Sequence, residues 1–347
     1  MNWKRILKRI LLALLLVITA LVVIYWDLVV YGIKQAKGQL TIVWQARPIE
    51  EFLDDPAFPD SLKEKLRLIS EIRQYAIDSL GLEDTRNYKT LYDQKGEEIM
   101  WVVTASEPFR LRAKEWHFPV LGAVPYKGFF NRDEAVALKD QLAAEGWDVS
   151  LRNPGGWSTL GWFTDPILSK MLGRDEGDLA SLIIHEMSHA TIFVKDSVNF
   201  NENLASFIGD RGAEQFLIHH YGEDSKEYNT FVNDDRDYVT YVNHILRGTR
   251  YLDSLYNTMQ AADPPTVKQR LKSEAIRKIV DNMDTLTLTP GKRPSLRFKD
   301  NLPNNAYFMS FIHYQSQQDV LMDEWHQNFG GDLRQYILFL ANKYPFL

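Results

Sequence analysis

Residues 178–194 read Asp-Leu-Ala-Ser-Leu-Ile-Ile-His-Glu-Met-Ser-His-Ala-Thr-Ile-Phe-Val, and the rest of the chain is organised around them. The apolar spacing predicts a helix, on which residues four apart share a face. His185 and His189 therefore point the same way and can bind one Zn²⁺ at about 2.0–2.1 Å. Glu186 lies one step round the helix, where it can reach a metal-bound water. The same pattern can occur by chance on a helix of the protein core. A zinc site therefore also requires a third ligand elsewhere in the chain.

Composition narrows the possible functions. The chain has 347 residues, of which 45 % are hydrophobic, and its net charge is −6. This is ordinary for a globular protein, and the negative charge argues against a nucleic-acid partner. The absence of cysteine excludes disulfides, thiolate zinc sites and cysteine nucleophiles. Any zinc site must therefore use histidine and carboxylate ligands.

The N-terminus predicts a membrane anchor. Four basic residues between positions 4 and 9 precede an uncharged apolar run, Ile10–Trp26. With its flanking apolar residues the run approaches the ~20 residues that span a bilayer. We expect an uncleaved, single-pass transmembrane segment over residues 1–30, with a cleaved signal peptide as the alternative. The positive-inside rule places the N-terminus in the cytoplasm and the body outside the bacterial inner membrane.

The remaining chain predicts one α+β domain over residues 31–347. Strand-like runs surround a helix at 133–145 in a β-β-α-β order, which favours a small mixed or antiparallel sheet within residues 31–163. Residues 164–347 are mostly helical and include the two histidines. A helix that starts near Phe200 follows a predicted turn at 195–199. Glu202, in the first turn of that helix, can face the imidazoles; a solvated carboxylate at a helix start is the alternative.

Two sets of motifs carry a family resemblance. His-Glu-x-x-His followed by Asn-Glu-x-x-Ala resembles the gluzincin metallopeptidases, although the link between the two motifs is shorter here. Most of the chain resembles a bacterial family named "putative aminopeptidase", formerly a domain of unknown function. The matching stretches are Gly38–Leu40, Arg47-Pro48, Phe118–Gly122, Tyr126–Phe130, Ser158–Pro166, Leu179–His189, Phe200–Gly212 and Asn304–Ala306.

The resemblance implies a zincin-like fold and assigns the site. His185, His189 and Glu202 would be the Zn²⁺ ligands, and Glu186 the general base. The family motif places a tyrosine eight residues after Ala306, which selects Tyr314 to stabilise the oxyanion; an ordinary packing role is equally consistent.

The candidate substrate-binding residues lie in two stretches. An edge strand ahead of the metal helix commonly binds peptide in zinc peptidases, so Ser158, Thr159, Leu160 and Gly161 are candidates; a loop packed by its tryptophans is the alternative. The matched Asn304–Ala306 motif adds Asn305.

The predicted function is a membrane-anchored zinc peptidase that acts on peptides, in keeping with the aminopeptidase family. An exopeptidase would need carboxylates to bind the substrate amine, and the candidates are Glu214, Asp234, Asp235 and Asp237. Two alternatives remain. One is a non-catalytic envelope-binding or assembly protein on a zincin scaffold, which has no need of Glu186. The other is a zinc amidohydrolase on cell-wall peptides, which would use the same residues.

Overall fold

The computed structural model describes residues 3–118, 122–154, 164–195, 197–315 and 317–344, except for the side chains of residues 5 and 313–315. The chain forms two compact units, Met1–Gln45 and Ala46–Leu347. The first contains helices α1, Trp3–Ile24, and α2, Trp26–Gln45. Within α1, Ile6–Ile24 is long and apolar enough to cross a membrane, although a signal sequence would meet the same test. Helix α2 continues through Gly38 without a break.

The second unit combines small sheets with many helices, which confirms the predicted α+β class. Its strands are β1 Arg47–Pro48, β2 Thr90–Tyr92, β3 Trp101–Ser106, β4 Trp116–Phe118, β5 Gly122–Val124, β6 Lys127–Phe129, β7 Asp148–Arg152 and β8 Ile167–Leu168. Its helices are α3 Ile49–Asp54, α4 Asp60–Asp78, α5 Arg132–Ala144, α6 Glu176–Thr191, α7 Val198–Tyr221, α8 Lys226–Thr258, α9 Pro265–Asp281, α10 Asn305–Gln315, α11 Gln318–Phe329 and α12 Leu333–Lys343.

In the described residues the strands form three separate sheets, where the sequence predicts one. Strand β3 lies between β6 and β7, antiparallel to both, and this sheet contains the predicted β-β-α-β region. Strand β2 joins β1 to β8 in a mixed sheet, and β4 pairs with β5. Strands of two or three residues make few ladder bonds, so the surrounding helices must supply most of the stability.

Helices α6 and α7 form the centre of the helical part. Helix α4 buries Leu66, Ile69 and Ile72 and packs against α6. Helix α7 packs against α6 and also contacts α8, α10, α11 and α12. Fully burying a leucine or isoleucine contributes about 1.5–3 kcal/mol, so this apolar layer fixes α6 and α7 firmly. A second core lies between α8, α9 and α10, around Ile279, Met283 and Phe308.

The start of α10 is attached to strand β7. The Asn304 amide donates a hydrogen bond to the Val149 carbonyl at 2.9 Å, and the Asn305 backbone N–H donates to Asp148 at 2.7 Å. The buried Lys272 also pairs with Asp148, so α9 is tied to the same point. These bonds hold α10 beside the sheet and, through its contact with α7, beside the pair of helices α6 and α7.

Candidate metal centre

The turn between α6 and α7 is closed by one asparagine. The Val194 N–H donates to Asn201 Oδ1 at 2.9 Å, and Asn201 Nδ2 donates back to the Val194 carbonyl at 2.8 Å. Asn201 is buried, so these bonds are shielded from water. Because Glu202 follows directly, this clamp positions its carboxylate opposite the two histidines of α6.

Three donor atoms converge at that point. His185 Nε2 and His189 Nε2 lie 3.2 Å apart. The Glu202 carboxylate lies 3.6 Å from His185 Nε2 and 3.7 Å from His189 Nε2. The corners of a tetrahedron with metal–ligand bonds of about 2.0–2.1 Å are about 3.3–3.4 Å apart. Two imidazole nitrogens and a carboxylate at these separations therefore fit a small divalent ion.

A glycine allows the two helices to approach closely here. A Cβ at Gly209 would lie 2.8 Å from the Ser181 carbonyl oxygen and 3.1 Å from His185 Cβ. Glycine is thus the residue that this contact between α6 and α7 requires. The close approach brings the first turn of α7, with Glu202, within reach of the α6 imidazoles.

The three donors differ in their protonation. Burial lowers the pKa of His189 to about 4, which favours the neutral imidazole that a metal needs. Burial would raise the pKa of Glu202, but the contact with His185 and the nearby positive charges outweigh it and lower the pKa. Burial would lower the pKa of His185, but Glu202 and Glu186 outweigh it and raise the pKa. His185 and Glu202, 3.6 Å apart, therefore each favour the charged form of the other.

Glu186 lies on the same helix as the histidines and is buried. Burial raises its pKa to about 7; the negative charges of Glu202 and Asp165 act in the same direction, and His185 opposes them. Its Oε2 atom is buried and has no hydrogen-bond partner among the described residues. A carboxylate with a pKa near neutrality is suited to accepting and returning a proton.

The segments that carry Tyr88 and Asp165 are hydrogen-bonded to each other and lie within electrostatic range of Glu186. The Tyr88 N–H donates to the Asp165 carbonyl at 2.7 Å, and the Asp165 N–H donates to Asn87 Oδ1 at 2.9 Å. Asn87, Tyr88 and Asp165 are all buried. Tyr88 has a φ of +60°, which for a bulky residue costs roughly 1–3 kcal/mol and persists only where its surroundings enforce it. Strain of this kind is often found at functional sites.

A narrow cleft, with a cavity volume of only about 20 Å³, lies beside Glu202. Its lining is mainly apolar and includes Ala105, Ala113, Pro125, Val198, Ala306 and Met309. Arg152, at the end of β7, also lines the cleft, and its positive charge helps to lower the pKa of Glu202. A cavity of this size holds about one water molecule, so its apolar lining would have to move before a larger group could lie next to Glu202.

The family model described as "Putative aminopeptidase" matches residues 30–342. The chain belongs to this family. No match was found among curated proteins or among solved structures. Membership supports a peptidase-like function, and it covers the body that contains the three donors. The family predicted from the sequence motifs is therefore confirmed.

Most of the other predicted site residues have side chains that the structure does not describe. Ser158, Thr159, Leu160 and Gly161 lie outside the described residues. Tyr314 belongs to α10, but its side chain is outside the described part as well. Their predicted roles in substrate binding and oxyanion stabilisation therefore stay predictions.

Asn305 is placed in the core at the start of α10. Its side-chain amide donates to the carbonyls of Glu107 and Pro108 at 2.8 and 3.2 Å, and its Oδ1 accepts from Tyr256 at 2.8 Å. These bonds hold the helix whose next residue, Ala306, lines the cleft. The observed contacts of Asn305 are structural, and direct contact with substrate stays a prediction.

The carboxylates considered for amine recognition already have cationic partners. Glu214 and Asp235 each lie 2.6 Å from Arg211. Asp234 and Asp237 lie 2.5 and 2.9 Å from the Lys292 ammonium group. Because these charges are compensated, the four residues are poor candidates for binding a substrate amine, although sequence alone allowed it.

Sequence reasoning missed Arg152, Tyr88 and the role of Asp165. Asp165 falls inside a matched family motif, which was a usable signal. Arg152 ends an ordinary strand and Tyr88 lies in a polar loop, so neither carries a local pattern. Only the tertiary fold brings Arg152 to the cleft beside Glu202, and Tyr88 within electrostatic range of Glu186.

Proposed function

We propose that this protein is a membrane-anchored, zinc-dependent peptidase with a zincin-like arrangement of its metal-site helices. The observation that carries the proposal is the convergence of His185, His189 and Glu202, whose donor atoms all lie within 4.8 Å of one another. The buried Glu186 beside them supplies the one further group that metal-assisted hydrolysis needs. Family membership adds independent support for a peptidase.

The chemistry divides between the ligands and the base. His185, His189 and Glu202 would hold the ion, and histidine with carboxylate ligands is a typical donor set for catalytic zinc. A bound zinc ion would lower the pKa of a water molecule and polarise the scissile carbonyl. Glu186 accepts a proton from the attacking water and then delivers it to the leaving amine. Its pKa near neutrality suits both transfers.

Other parts of the chain would orient the peptide. Ser158, Thr159, Leu160 and Gly161 would hold the peptide backbone as an added strand, and Tyr314 would donate to the oxyanion. Within the family's named activity, cleavage would release an N-terminal residue. The N-terminal helix would anchor the body outside the bacterial inner membrane.

Two alternatives make different predictions. A non-catalytic envelope protein would bind metal without turning over any peptide. A zinc amidohydrolase would cleave cell-wall peptides in preference to ordinary ones. The presence of Glu186 among three donor atoms favours an enzyme, because a binding protein has no chemical need for a buried carboxylate of raised pKa.

A peptide library separates these functions. Zinc-loaded full-length protein in detergent is incubated with matched peptides that have free or acetylated N-termini, and with muropeptides, and products are identified by mass spectrometry. We expect release of N-terminal residues from the free peptides, and none from the His189→Ala protein. Cleavage only of muropeptides would support the amidohydrolase. The absence of cleavage of any substrate by zinc-loaded protein would refute the enzymatic proposal.

A further inference from the structure

A second cleft is lined by helix α8, helix α10 and the segment before β4, and none of its lining residues belongs to the candidate metal centre. Its cavity volume is about 470 Å³, within the range of about 300–1,000 Å³ that is usual for small-molecule sites. Polar side chains of α8 supply one part of the lining, namely Arg250, Asp253, Ser254 and Asn257. Leu111 and Ile312, from the other two segments, add apolar surface.

The wall that α8 contributes is firmly held. Leu252 and Tyr256, on the opposite face of α8, are buried in the core between α8, α9 and α10, and Leu111 packs against the same core. Thr249 also lines the cleft; it is buried, and its hydroxyl donates to the Ile245 carbonyl at 2.8 Å. The shape of the cleft therefore depends on packed residues, while its charged side chains remain exposed to a ligand.

The cleft contains a cation and an anion that are not compensated within the described part of the chain. Arg250 and Asp253 are three residues apart on α8 and are therefore neighbours on the helix surface. They form no ion pair with each other or with any other described group. Asp253 accepts a long hydrogen bond from the Asn257 amide, at 3.4 Å. The four carboxylates discussed above, by contrast, have cationic partners.

A small zwitterion satisfies both charges at once. An ammonium group can pair with Asp253, and a carboxylate can accept two parallel hydrogen bonds from the guanidinium group of Arg250. Leu111 and Ile312 offer a surface for an apolar side chain. A ligand with a single charge would leave either Arg250 or Asp253 uncompensated.

We propose that this cleft binds a free α-amino acid or a short peptide with an apolar side chain, through its ammonium group at Asp253 and its carboxylate at Arg250. The proposal goes beyond the proposed hydrolysis and needs neither a metal ion nor catalysis.

The two clefts border the same two segments of the chain. Ala113 and Ser310 line the narrow cleft beside Glu202, and Leu111 and Ile312 lie two residues from them in sequence. An aminopeptidase releases free amino acids, so the proposed function would supply a ligand of this class close to the cleft.

Binding is measured by a saturation-transfer NMR titration of L-leucine onto full-length protein in detergent. The protein is first treated with a chelator, so that leucine cannot bind through a metal ion. We expect a Kd of about 0.1–10 mM, which is reasonable for a ligand of about nine non-hydrogen atoms. N-acetyl-leucine lacks the ammonium group and leucinamide lacks the carboxylate, so each should bind at least about 10-fold more weakly.

A parallel titration with the dipeptide Leu-Leu distinguishes the two sources of the zwitterion. Tighter binding of Leu-Leu identifies a peptide as the ligand, and tighter binding of leucine identifies a free amino acid. Both results support a zwitterion site.

Variants assign each charge to its residue. Asp253→Asn should bind leucine as weakly as N-acetyl-leucine, and Arg250→Gln should bind leucine as weakly as leucinamide. Arg247→Gln is the matched control, because Arg247 is an exposed arginine of α8 that does not line the cleft. It should keep the wild-type Kd. All three variants change exposed side chains and should melt within about 2 °C of wild type.

Three results would overturn the inference. The first is no binding of leucine or Leu-Leu up to about 50 mM. The second is leucine binding that neither Asp253→Asn nor Arg250→Gln weakens. The third is a wild-type protein that binds leucine and its two blocked forms equally well. Hydrolysis is measured separately in the peptide library, so failure of the proposed function and failure of this inference are seen in different experiments.

Discussion

Glu186 is the residue whose chemistry the proposal depends on most. It is buried beside the three donor atoms, and burial raises its pKa to about 7. Glu186→Gln keeps the size of the side chain and removes the base. We expect kcat to fall about 10²–10⁴-fold with an unchanged zinc content, because Glu186 is not one of the three converging donors. Peptide hydrolysis and metal analysis on the same sample check this; a variant that keeps its activity would disprove the mechanism.

The buried residue Asp210 leads to a prediction about the pH dependence of stability. Burial raises its pKa to about 6, with the charge of Asp235 adding to the shift, while the Ser181 hydroxyl, which donates to Asp210 at 2.7 Å, opposes it. A raised folded-state pKa means that the stabilising contribution is complete below about pH 3.8 and is lost as the pH rises through about 6. Above pH 6 the folded protein therefore contains a costly buried charge.

Asp210→Asn should remove that cost and keep the acceptor for Ser181. In metal-free protein we expect the free energy of unfolding to rise by about 1–3 kcal/mol at pH 8, with a smaller gain at pH 5. Urea titrations at the two pH values measure this. Asp300→Asn, at an exposed position, is the control and should change neither value. An equal effect at both pH values would contradict the assignment.

At the scale of elements, the sequence predicts helices α6 and α7 correctly. The apolar period and the paired histidines predict α6 closely, and the Asn-Glu motif predicts the start of α7 within two residues. Both predictions depend on the spacing of residues within one helix, which is visible in the sequence. The division of the β region into three sheets was not predictable, because strands of two or three residues carry almost no periodicity.

The residues that surround the three donor atoms could not be predicted from the sequence either. Only the tertiary fold brings Tyr88 and Arg152 to this region, and no local pattern marks them. An Asp-Pro pair such as Asp165-Pro166 often starts a helix, but here it is followed by strand β8 and then a 3₁₀ turn over Ser169–Gly173. The parallel pairing of β8 with β2 overrides the local preference there.

The contact of α6 with α7 makes a prediction about Gly209. A Cβ there would lie 2.8 Å from the Ser181 carbonyl oxygen, so Gly209→Ala should push the helices apart. We expect a loss of about 1–3 kcal/mol in the free energy of unfolding and weaker zinc binding. Gly173→Ala, where a Cβ meets no atom within 4 Å, is the control. Wild-type stability and metal affinity in Gly209→Ala would show that the close contact is unimportant.

For the whole molecule, the N-terminal helix decides where the body works. Ile6–Ile24 meets the length and apolarity of a membrane span, and its apolar side chains are largely exposed. We expect the chain to remain in bacterial membranes after alkaline extraction at its full length, and a chain without residues 1–24 to be released. Protease added to spheroplasts should digest the body. Recovery of a shortened, soluble wild-type chain would indicate a cleaved signal instead.

The most direct test of the central claim is the metal content of the full-length protein. Wild type and Glu186→Gln, reconstituted with zinc in detergent and freed of excess metal, should each retain about one zinc ion per chain by elemental analysis. His189→Ala should retain almost none, because it loses one of the three converging donors. Wild-type protein that retains no metal, or a His189→Ala protein that retains as much as wild type, would contradict a His185–His189–Glu202 zinc site.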